Sequence, residues 1–150
     1  MSGQIQISFE IVSITEESFT PVQKDSIPGI DGKNQLRVST QILTEVDSKN
    51  HLIKIHSGVK YQIQDDVVSS LSICVAYRVS PFDDLISIDR EKKQINFSAD
   101  FIPPLLSSTY DTLRGVFYEK IKDTFLSNYS VPLSSPSVLA SFNRFKVVGD

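Results

Sequence analysis

His51 and His56 are the only histidines in the chain and Cys74 is its only cysteine. Zinc-type or thiol chemistry would therefore have to draw on these three residues and on carboxylates. The histidines stand five apart in a stretch of strand-like alternation, which places them on opposite faces, out of reach of one ion. With a single cysteine and no third ligand in register, no metal site is expected. Cys74 falls between Ile73 and Val75, on the parity of Ser72 and Ala76. A catalytic thiol needs a basic, partly exposed setting and a histidine base; a cysteine inside a strand reads instead as a small packing residue. Asp65-Asp66 and Asp83-Asp84 are adjacent pairs whose carboxylates point apart, whereas glycosidase-like work needs two that converge. The run from Pro28 to Asn34 has two glycines and a lysine, but neither the spacing nor the hydroxyl of a phosphate loop. Asn96-Phe97-Ser98 and Asn128-Tyr129-Ser130 match a glycosylation acceptor by pattern only. No catalytic residue, cofactor or metal is expected, so the chain does not read as an enzyme.

The elements that position these side chains fit in one domain, 1–150. Hydrophobic residues are 40% and charged residues 22%, enough for a packed core without staples. Fifteen basic against eighteen acidic residues leave a net charge of −3, which offers no footprint for nucleic acid. The opening Met1-Ser2-Gly3-Gln4-Ile5-Gln6 has neither the basic nor the apolar region of a signal peptide. No stretch approaches the roughly 18 apolar residues of a membrane span. A cytoplasmic protein without membrane insertion is the expectation.

Ile5, Ile7, Phe9 and Ile11 alternate with polar residues as in a half-buried strand, and the phase breaks at Ile11-Val12, where a bulge or bend is expected. Pro21, Pro28 and the Asp31-Gly32 turn mark a long loop. Alternation resumes over Leu36–Val46, Leu52–Gln64 and Leu71–Val79, with polar turns at 47–50 and 65–66. Such short connections join antiparallel neighbours. Asp89 to Lys93 is a mixed-charge loop ahead of a short strand at Ile95 and Phe97. From Pro103 the period changes: Leu106, Tyr110, Leu113, Phe117, Ile121 and Phe125 form one helical stripe, begun by Pro103 or Pro104 and ended at Asn128. Ser135-Pro136 reads as a cap and first turn of a short helix through Val138, Leu139 and Phe142. The expected fold is α+β, a four-stranded antiparallel sheet with one long and one short C-terminal helix on one face.

On the long helix Ser108, Thr112 and Gly115 are small and helically spaced, and Val116 and Tyr118 add apolar area off the sheet-facing side. Interior glycine costs a helix about 1 kcal/mol against alanine. It suits either a close helix–helix approach or room for a sheet side chain. Ser108, Thr112, Gly115 and Val116 are the candidate oligomer interface. Phe19, Phe82, Leu85, Phe97 and Phe101 stand in loops or at element ends, outside the alternating core.

Element order, the proline-led helix with Leu105-Leu106 and Leu113-Arg114-Gly115, and Val131-Pro132-Leu133 ahead of Pro136 together resemble the SecB-type export chaperones. Tyr77 to Phe82 occupies the place of that family's Gly-Gly-Ile-Phe signature, with Val79, Ser80 and Pro81 where the paired glycines would stand. The resemblance implies a cytoplasmic dimer of dimers that binds non-native or exported chains in an apolar groove and takes part in protein transport. Phe19, Phe82, Leu85, Phe97 and Phe101 are its candidate lining. The family docks a SecA motor through an acidic sheet face, whereas the polar parity here carries Arg37, Lys54, His56, Lys60 and Arg78 and reads as neutral to basic. A dedicated single-partner module on the same fold, such as a toxin–antitoxin-associated chaperone, is the alternative.

Overall fold

The computed structural model describes residues 6–22 and 36–148. Gln4, Ile5 and the turn between Pro28 and Asn34 lie outside them. Four long strands form first: β1 (Ser8–Thr20), β2 (Leu36–Asp47), β3 (Leu52–Ile63) and β4 (Asp66–Ser80). β2, β3 and β4 follow one another antiparallel, as the short polar turns require. β1 pairs antiparallel with β4 rather than with its sequence neighbour β2, so it forms an outer edge. The broken phase at Ile11-Val12 is a bulge: the register slips between Ile11 and Ser13, and again between Glu16 and Ser18.

The sheet has five strands, not four. β7 (Arg144–Val148) pairs parallel with β2, giving the order β1-β4-β3-β2-β7. A parallel neighbour needs a crossover, and the chain between β4 and β7 supplies it. Within β7, Phe145 and Val147 share the apolar parity with Thr44 and Val46, while Arg144 and Lys146 lie on the other side. Five residues are too few for that alternation to stand out in the sequence. After β4 come one helical turn, α1 (Phe82–Leu85), and the hairpin β5 (Ile86–Asp89) with β6 (Gln94–Phe97). The expected short strand at Ile95 and Phe97 is β6.

The long helix, α2, runs Ile102–Ile121 with Pro103 and Pro104 in its first turn. It stops seven residues before Asn128 because Thr124 takes over: its hydroxyl donates to the Ile121 carbonyl at 2.8 Å and accepts from the Leu126 N–H at 3.2 Å. Such side-chain bonds to the backbone compete with helix continuation. Phe125 therefore starts a separate 3₁₀ turn, Phe125–Asn128. α3 (Pro136–Phe142) begins as its sequence predicts, the Ser135 hydroxyl accepting from the Val138 N–H. No helix among the described residues is long and apolar enough to cross a membrane.

The core forms where the buried stripe of α2 meets the inward residues of β3 and β4. Phe117 stacks on Tyr61 with ring centroids 5.4 Å apart, and Tyr77 and Thr109 share a buried hydroxyl–hydroxyl bond of 2.8 Å. Tyr61 donates to the Tyr129 carbonyl and Tyr110 to that of Pro132, both at 2.6 Å, which pins the segment leading to α3. Burial pushes the Tyr61 phenol up to about 12. Removing the fully buried Phe117 ring leaves a cavity, so Phe117→Ala should cost about 3–5 kcal/mol in urea denaturation. Tyr118→Ala, one position on but 59% exposed, should change stability by less than about 0.5 kcal/mol.

Candidate functional site

The uncovered apolar surface gathers on β1. Phe9, Ile11 and Ile14 are 43%, 50% and 51% exposed, and Val12 at the bulge is similar. Phe9, Ile11 and Ile14 pair with the inward residues Val79, Tyr77 and Val75, so they share the face that α2 covers further in. α2 lies over β3 and β4, and these side chains extend beyond its cover. Beside them an aromatic line crosses the sheet: Phe9 meets Phe101 at 5.8 Å between centroids, Phe101 meets Phe97 at 5.5 Å, and Phe97 meets Phe145 of β7 at 5.5 Å. Its two ends, Phe9 and Phe145, are half-exposed, and its middle is covered.

β1 has no strand on its outer side among the described residues, so its outward N–H and C=O groups are open to pairing. Proteins commonly protect such an edge with charge. Here each of its three glutamates is drawn onto a cation of its own chain: Glu10 to Arg78 at 3.0 Å, Glu16 to Lys120 at 3.0 Å and Glu17 to His56 at 2.8 Å. These pairs come from β4, α2 and β3. They lock the strand down while leaving its edge with little net charge.

The candidate contact residues divide. Phe82, Leu85 and Phe101 are buried and do not line an open groove. Phe82 and Leu85 lie in α1 and Phe101 caps the start of α2, all three within the core, with Phe82 also stacked on His51 at 4.8 Å between ring centroids. Phe19 is half-buried, roofed by the Lys120 ammonium 4.3 Å from its ring centre. Phe97 is half-buried within the aromatic line. Of the residues that do stand open, Phe9 and Ile11 belong to the alternation of a half-buried strand, and Val12 and Ile14 continue it with opposite parity. Nothing in the sequence reading placed this strand at an edge.

On α2 the small residues also separate. Gly115 is exposed, and a Cβ built on it would meet nothing within 4 Å. It makes room for no side chain of its own chain, which removes that reading of the glycine. Ser108, Thr112 and Val116 are half-buried, Val116 packing against the core. Thr112 and Val116 turn toward β1, where Lys120, one turn on, reaches Glu16.

On the opposite, polar face of the sheet, His56 and Cys74 are register partners on β3 and β4. The histidine missing from the sequence reading of Cys74 is thus supplied across the strands. His56 Nε2 stands 3.9 Å from the Cys74 sulfur and 3.6 Å from Glu45 Oε1, and Nδ1 stands 2.8 Å from Glu17 Oε1. The Cys74 sulfur and then the Glu17 carboxylate raise the imidazole to about 9, against the opposing effect of burial. Glu17 and Glu45 also make this face more acidic than the sequence suggested. Among the described residues no three His, Cys, Asp or Glu side chains are arranged to hold a metal ion.

Compared with family models and with curated proteins, the chain matches none.

A folded-state value near 9 against 6.5 unfolded means that protonated His56 stabilises the fold fully below about pH 6.5, and that this contribution is lost as pH rises through 9. The stability advantage of the native chain over His56→Gln should accordingly be largest near pH 6 and vanish by pH 10, roughly one unit either side of those two values, as read from urea midpoints.

Proposed function

We propose that this chain is a chaperone-like protein that binds non-native or exported polypeptides and performs no reaction on them. The observation that carries this reading is the half-exposed apolar run of β1, Phe9, Ile11, Val12 and Ile14, along an open strand edge. An extended client would add a strand there, using main-chain hydrogen bonds that demand little of its sequence, and lay alternate side chains on Ile11, Ile14 and the aromatic line. Four long strands followed by a proline-led helix also support a SecB-like relationship, with β7 and the hairpin as additions.

The SecB-like reading includes self-association, possible here through the outer face of α2. Gly115, exposed and unrequired by its own packing, is where a second helix could approach most closely. Gly115→Ala gives the test: an isolated chain should gain up to about 1 kcal/mol of stability. An oligomer packed on that face should instead sediment as smaller species than the native protein at equal concentration.

A single-partner subunit is the second reading. Leu133, 80% exposed, and half-exposed Val138 form a separate apolar spot at the start of α3. One stoichiometric partner whose binding is lost in Leu133→Lys, with β1 variants unaffected, would select it.

For the first reading, the protein in several-fold excess should suppress aggregation of a slow-folding client. Ile11→Lys with Ile14→Lys should weaken client binding at least about tenfold, since each half-buried isoleucine is worth on the order of 1 kcal/mol. No suppression by the native protein, or equal suppression by the double variant, overturns the reading.

A further inference from the structure

The polar face of the sheet holds a constellation that polypeptide binding does not use. Across one row of the register stand Thr15 of β1, Cys74 of β4, His56 of β3, Leu43 of β2 and Arg144 of β7. The bulge between Glu16 and Ser18 brings the Glu17 carboxylate over to His56 Nδ1. A carboxylate, an imidazole and a thiol therefore line up, with the cysteine residue half-buried. Beside them opens a concavity of about 580 Å³ lined by His56, Ser72, Gly58, Gln41, Phe142 and Arg144.

We propose that Cys74 is a thiol modification site, oriented by His56 and Glu17, that exchanges with small anionic disulfides. The sulfur attacks one sulfur of the disulfide. The S–S bond breaks, a mixed disulfide forms on Cys74, and the second half leaves as a thiolate that takes up the proton lost by the cysteine. Negative charge on the attacking sulfur is compensated by the imidazolium 3.9 Å away. Glu17 holds that ring by its other nitrogen. Arg144, in the same register row, brings a guanidinium to the neighbouring concavity that suits a carboxylate on the incoming disulfide. The chain contains no second cysteine to resolve the product, so the adduct persists until an external thiol removes it.

Every charged group around the imidazole bears on this chemistry. Glu17 faces it from β1 and Glu45 from β2, with Lys54 of β3 drawing Glu45 the other way at 3.9 Å. Lys146 of β7 is the register partner of Glu45.

The test is the rate of reaction of the native protein with 5,5′-dithiobis(2-nitrobenzoate), a dianionic aromatic disulfide, between pH 6 and 9. The expectation at pH 6.5 is a single adduct formed at least about tenfold faster than in His56→Gln or in the urea-unfolded chain. Glu17→Gln should give an intermediate rate, and it serves as the second variant if His56→Gln fails to fold by circular dichroism. Equal rates in native protein and both variants, or a native thiol slower than the unfolded one, overturn the proposal.

Discussion

A helix about 10 Å across laid on strands about 4.8 Å apart covers roughly two of them. That mismatch governs the molecule. α2 spends its apolar stripe on β3 and β4, where Phe117 stacks on Tyr61 and Thr109 meets Tyr77. The rest of the inner face must find other cover. α3 lies along the side toward β2, and the hairpin with Phe101 and Phe97 folds over one end. Nothing among the described residues extends far enough to roof Ile11 and Ile14. The open surface of β1 is therefore the remainder of a packing problem, and the functional reading begins from that remainder.

Strand alternation made β2, β3, β4 and most of β1 legible from the sequence, down to the bulge at Ile11-Val12, because a strand with one dry face repeats every two residues. Ser135-Pro136 marked the start of α3 for an equally local reason. What escaped was non-local or short. The length of α2 was overstated because Phe125 keeps the helical spacing, while Thr124, a few atoms of side chain, ends the helix. β7 escaped because five residues carry little periodicity and its partner lies a hundred positions earlier. Phe82, Leu85 and Phe101 looked peripheral by their place between elements, yet all three join the core.

The His56–Cys74 meeting escaped for a different reason. Eighteen residues separate them, and only the register of β3 on β4 sets them side by side. A slip of one residue in that register would have set Ile73 or Val75 opposite His56 and turned the thiol to the other face. Site chemistry on a sheet is written in register, and register is a property of turns and of the buried face.

β7 has a temporal consequence. As the chain leaves the ribosome, β2, β3 and β4 can zip together early, but the outer rim of β2 must wait until residues 144–148 have emerged to receive its hydrogen bonds. During that interval both flanks of the sheet carry unpaired backbone groups. Until β7 docks, the sheet therefore presents two open edges where the finished form presents one.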